Sequence, residues 1–133
     1  MLPLGKARPF ELWREQDRLH LHLASGTRVG VREMKELLRL IEALDPGRMC
    51  PVLYWQDELV QVDVRARDLL RRACRGQGRA VGFVVRDVAD RVQGNFFQRF
   101  HRPRFPFRLC HDQEDALRWF RERRQAIQLG MPR

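Results

Sequence analysis

The sequence predicts a single α/β domain, an N-terminal β-hairpin followed by a βα superhelix with a mostly parallel five-stranded sheet. Three observations lead there. Apolar residues first alternate at period two, then switch to helical spacing, and from there short apolar runs alternate with amphipathic stretches. Strands joined through helices imply parallel pairing with right-handed crossovers. The length of 133 residues suits one hydrophobic core.

Element by element, Phe10 and Leu12, then Leu19, Leu21 and Leu23, alternate with polar residues, so "PFELWREQDRLHLHLAS" reads as a hairpin turning at "REQD". In "VGVREMKELLRLIEALDPG" the stripe of Val31, Met34, Leu37, Leu38, Ile41 and Leu44 predicts a first helix. Asp45-Pro46-Gly47 ends it, with Gly47 expected in the left-handed turn. "CPVLYWQ" reads as a buried strand and "DELVQ" as a connection. A second helix follows in "VDVRARDLLRRACRG", with Asp63 as N-cap and Gly76 just past its end. "RAVGFVVRD" is another strand. "VADRVQGNFFQRFHR" is a third helix whose core face is expected to be Val88, Val92, Phe96 and Phe100. "PFRLC" is the last strand. "HDQEDALRWFRERRQ" is the last helix, with Asp112 as N-cap and Asp115 at the N3 position. The domain is expected to span 1–133, with 121–133 a partly flexible basic tail.

Composition narrows the function classes. Hydrophobic residues make up 44% and charged ones 32%, which excludes a disordered chain. No apolar run approaches the ~20 residues of a membrane span. "MLPLGKARPF" lacks the apolar core of a signal peptide, so the expected location is cytoplasmic. Cys50, Cys74 and Cys110 are odd in number and form no CxxC, so buried thiols are expected rather than a disulfide framework. The net charge of +9 is carried by arginine: Lys6 and Lys35 are the only lysines, leaving 24 of the 26 basic residues. Those arginines are spread over every helix, which predicts weak, salt-sensitive nucleic-acid binding rather than a specific grip.

The order of elements, with "PVLYWQ" (51–56), "ARDLL" (66–70) and "AVGFVVRDVADRVQGNFFQRFHRPRFPFRLCHDQEDALRWF" (80–120), resembles the STAS, or anti-sigma-factor-antagonist, family. Within it the chain is similar to small bacterial STAS-like or SEC14-like domain proteins of uncharacterised function. The resemblance rests on R-x-x-x-N-x-F from Arg91, P-x-x-P at Pro103 and Pro106, and A-x-x-W at Ala116 and Trp119. It covers most of the chain. It implies a regulatory protein-interaction module rather than an enzyme. Sporulation-type members carry a phosphorylatable serine at the start of the helix after the third strand. Here that region is "DELVQVDVRARDLL", and Ser25 and Thr27 are the only hydroxyl residues of that kind in the chain. The resemblance therefore implies a module without the phospho-switch.

Each chemical candidate has a structural counterpart. His20 and His22 share a strand face and could hold a metal with Cys110 or His111, but two exposed imidazoles are the simpler reading, and no metal or cofactor is expected. Cys110-His111 before a helix start could be an activated thiol, but the alternation with Leu109 favours a structural one. No phosphate loop or nucleophile elbow occurs, so no catalytic residue is assigned. Ligands and partners of parallel sheets bind beyond the carboxyl ends of the strands. The loops there nominate Asp57, Glu58, Asp63, Arg86, Asp87, Arg91 and His111 as a partner or ligand surface. If helices cover only one sheet face, the other exposes His20, His22, Trp55 and Arg108 as an interface for a protein partner or a homodimer. The leading expectation is thus a non-catalytic interaction module. A small-ligand or lipid binder at the strand-end crevice and a nucleic-acid-associated basic protein are the alternatives.

Overall fold

The computed structural model describes residues 10–73 and 79–130. Cys74 and Gly76, the expected stop of the second helix, lie outside them. The strands are β1 (Phe10–Glu15), β2 (Arg18–Leu23), β3 (Arg28–Val29), β4 (Val52–Gln56), β5 (Gln61–Val62), β6 (Val81–Val84) and β7 (Phe107–Cys110). The helices are α1 (Val31–Leu44), α2 (Val64–Ala73), α3 (Val88–Phe96) and α4 (Gln113–Gln128). A π-helical turn, Phe97–His101, continues α3.

β1 and β2 form an antiparallel hairpin around Gln16-Asp17, with Gln16 in the left-handed region at φ 57°. The order β1-β2-β4-β6-β7 then runs parallel from β2 onward, giving the mixed five-stranded sheet of the expected fold. β3 and β5 make a separate two-stranded parallel ladder, so part of the expected connection is strand. Asp45 ends α1, but the left-handed residue is Arg48, at φ 58°, rather than Gly47. Asp45 is itself buried. It accepts from the Cys50 N–H at 2.7 Å and from the Arg79 guanidinium. Burial alone would push its carboxyl up, but those donors outweigh it and hold it below the usual range.

One sheet face carries Leu19, Leu21, Leu23, Val52 and Phe83, and packs under α1, α2 and α3. The other is not open. α4 lies across it, burying Leu53, Cys110, Ala116, Trp119 and Phe120 in a second core layer. Gly82 permits this approach, because a Cβ there would sit 3.2 Å from Phe120 Cζ and 3.3 Å from Ala116 Cβ. α4 also runs to Gln128 through much of the expected basic tail, with Ala126 buried and Arg124 paired to Asp17 at 2.5 Å.

Candidate docking surface

The carboxyl ends of the parallel strands are rigid because each loop there is pinned. Asp57 N–H donates to the Leu23 carbonyl, Gly26 N–H to Glu58, and Asp63 N–H to Val29. α3 and α4 begin with one device. Asp87 and Asp112 are N-caps that accept from the N–H of Asp90 and Asp115, at 2.9 and 2.8 Å. Asp90 and Asp115 accept in turn from the N–H of Arg86 and His111, at 3.0 Å each. In each case the paired carboxylates satisfy one first-turn N–H of the helix and the N–H just before its cap.

The nominated residues separate accordingly. Asp57 turns away to His22 on the α4 side of the sheet. His111 belongs to the start of α4. Glu58, Asp63 and Arg91 are exposed around the starts of α2 and α3, beside Arg86 and Asp87. The carbonyl of Asp63 accepts from Arg67 N–H, which places it at the N-cap position.

The largest departure from the sequence reading is on α3. Its apolar stripe does not face the core: Val88 is 76% exposed, Val92 61%, Phe96 43% and Phe100 65%. The inward face is Asp90, Gln93, Gly94 and Phe97. Two features turn the helix this way. Buried Gln56 donates to Asp90 at 3.1 Å and to Gln93 at 2.9 Å, and receives the Tyr54 hydroxyl; Gln93 donates to the Val60 carbonyl at 3.1 Å. Burial, with the Asp90 charge adding to it, raises the Tyr54 phenol well above its ordinary range. Gly94 then lets the helix backbone approach the sheet, since a Cβ there would collide with Leu109 and lie 3.1 Å from Phe83 Cδ2.

The exposed stripe does not stand alone. Leu59, 78% exposed, occupies the tip of the adjoining loop at φ 65°, a conformation costly for a bulky side chain and typical of functional loops. Val64 opens α2 beside it and is exposed too, while the Arg67 guanidinium lies 5.5 Å from the centre of the Phe96 ring.

The expected open-sheet residues are mostly enclosed. His20 is buried, stacked on Trp13 at 5.1 Å, and its Nε2 accepts from Arg18 Nε at 3.1 Å, an arrangement that needs a neutral ring. Burial and the Arg18 charge lower its pKa against the pull of Glu15. His22 stacks on Trp55 at 5.2 Å and is gripped by two carboxylates, Glu11 at Nδ1 (2.8 Å) and Asp57 at Nε2 (3.1 Å). Arg108 covers Trp119 at 6.0 Å. Cys110 is buried, and its thiol is pushed up to about 11, by burial and then by Asp115, the reverse of an activated nucleophile. Among the described residues, no cluster of three or more His, Cys, Asp or Glu could hold a metal ion.

A hairpin followed by parallel βα units, with helices on both faces, is the architecture of the SpoIIAA-like, or STAS-like, fold. An uncharacterised protein of the DUF3478 family from Shewanella loihica PV-4 shows it. It matches with a TM-score of 0.55 and 18% identity over 83% of this chain and 90% of its own. By sequence the chain belongs to the family described as Domain of unknown function (DUF7793), whose model matches residues 12–124. No curated protein matches it.

Proposed function

We propose that this domain is a non-catalytic docking module that binds a protein partner through the α3 ridge and the loop after Asp57. The observation that carries it is the row Val88, Val92, Phe96 and Phe100, left in solvent at i+4 spacing on a helix whose other face is fixed. The row extends about 18 Å, and i+4 ridges are what the grooves of a second helix receive. Arg91 and Arg99 flank it on the same helical segment, exposed and without a carboxylate partner among the described residues, so an acidic amphipathic helix is the complementary surface. Glu58, Asp63, Arg86 and Asp87 frame its near end, while Asp57 and His111 lie outside it. The non-catalytic part is supported by the roles already taken: Asp87 and Asp112 cap helices, Asp90 and Asp115 hold backbone amides, and the Cys50 and Cys110 thiols are buried with raised pKa values. The start of α2 offers no hydroxyl to phosphorylate.

The test compares the native protein with Val92→Glu and, as control, Ile127→Glu, an equally exposed site on α4. Light scattering at low and high salt reads self-association, and affinity capture with quantitative mass spectrometry reads partners. Both substitutions should leave stability within about 0.5 kcal/mol. Val92→Glu should abolish the interaction and Ile127→Glu should spare it. An interaction indifferent to Val92→Glu sinks the reading. Captured material absorbing at 260 nm and released by salt would replace it with nucleic-acid association.

A further inference from the structure

Between the inward sheet face and α1, α2 and α3 lies a cavity of about 120 Å3. Its walls are apolar, formed among others by Leu37, Leu70, Val81, Phe97 and Phe105. An engineered apolar cavity of roughly 150 Å3 takes up benzene, so this space is of the size that holds one small ring or a short chain. The polar groups at one end, Tyr54, Gln56 and Gln93, already satisfy one another and Asp90. Among the described residues, one charged residue lines the space, Arg67.

Arg67 is partly buried. Its recorded partner is the face of Phe96, and no carboxylate among the described residues pairs with it; the neighbouring Asp68 is taken by Arg71 and Arg72. Arg67 lines the space while its guanidinium rests over Phe96, and a carboxylate at the cavity mouth would give it a charge-assisted partner. Because Phe96 faces solvent, the same guanidinium joins the cavity to the surface and marks the way in. The lining also includes Phe97, the first residue of the π-helical turn, an irregularity concentrated at functional sites.

We propose that this cavity binds a small monocarboxylate with a compact apolar body, aryl or short acyl, whose carboxylate pairs with Arg67. The site lies beneath the ridge and meets it at the Arg67–Phe96 contact, but uptake of a small acid needs no protein partner, so it stands or falls independently of the docking reading.

Benzoate and hexanoate are the probes, with 1-hexanol and hexylamine as controls, each titrated into the native protein by calorimetry and protein-observed NMR. The acids should bind, hexylamine should not, and shifts should centre on Leu70, Val81 and Phe97. Arg67→Met, at a partly exposed position, should fold with an unchanged circular dichroism spectrum. It should bind the acids at least tenfold more weakly while 1-hexanol uptake is unaltered. Leu70→Phe, filling the space, should remove all binding; if that variant does not fold, the acid-to-alcohol selectivity of Arg67→Met decides alone. At a hundredfold excess over Kd, hexanoate should raise Tm by roughly 10 °C. No acid binding at millimolar concentration, or acid binding equal in Arg67→Met, overturns the proposal.

Discussion

His22 is drawn toward its protonated form for a local reason. Burial disfavours the charged ring, but Glu11 and Asp57 each accept one of its N–H groups, and the net effect raises its pKa above 6.5. A raised folded-state pKa stabilises the fold fully below about pH 6.5, and that contribution is lost as pH rises through the raised value. The denaturant midpoint of the native protein, relative to His22→Gln, should therefore fall as pH increases from about 6.5 through the raised value. A difference that stays flat over that range would show that the clamp is not charged. The sequence revealed the alternation that places His20 and His22 on one face, but not their partners. Glu11 lies on β1 and Asp57 just past the end of β4, and their approach depends on a register that periodicity does not encode. The Asp112–Asp115 cap was legible because it precedes an obvious helix. The equivalent Asp87–Asp90 pair was overshadowed by the apolar stripe beside it.

Among the elements, α3 carries the main lesson. Counting apolar residues at i+4 selects Val88, Val92, Phe96 and Phe100, yet the core takes the row of Asp90, Gln93, Gly94 and Phe97. That row lies at i, i+3, i+4 and i+7, and only Phe97 in it is large and apolar, so hydrophobicity alone does not pick it out. The signal available was the glycine within a helix, which costs roughly 1 kcal/mol of propensity and calls for a packing reason. Gly94→Ala should consequently destabilise rather than follow helix propensity. The added Cβ strikes Leu109 and crowds Phe83, and overpacking of this kind costs about 1–3 kcal/mol. Asn95→Ala, one residue on and exposed, should be neutral or slightly stabilising. A rise in Tm for Gly94→Ala would mean that α3 does not sit this close to the sheet. β3 and β5 escaped notice for another reason: two residues each are too few to display a period.

For the whole molecule, the class of fold and the succession of the five main strands along the chain followed from the alternation of patterns, whereas the distribution of helices over the two faces did not. α4 has a mixed surface whose destination depends on Gly82, a residue that reads as a weak point in a strand until Ala116 and Phe120 are placed against it. With a core layer on each side, β4 and β6 are enclosed both above and below. Their amides should exchange hydrogen most slowly, with β1 opening at lower free energy. Uniform protection across the sheet would argue against that layering. The outer strands of the sheet add a constraint on assembly. β1 carries the charges Glu11, Arg14 and Glu15, and β7 has exposed Arg108 just after Pro106, which lacks an N–H to donate. Both margins are thus poor templates for a further strand, as in proteins that avoid edge-to-edge polymerisation. Growth by sheet extension is discouraged from either side. An encounter with another chain is steered toward side-chain contact on the helical surface instead of backbone pairing along a sheet edge.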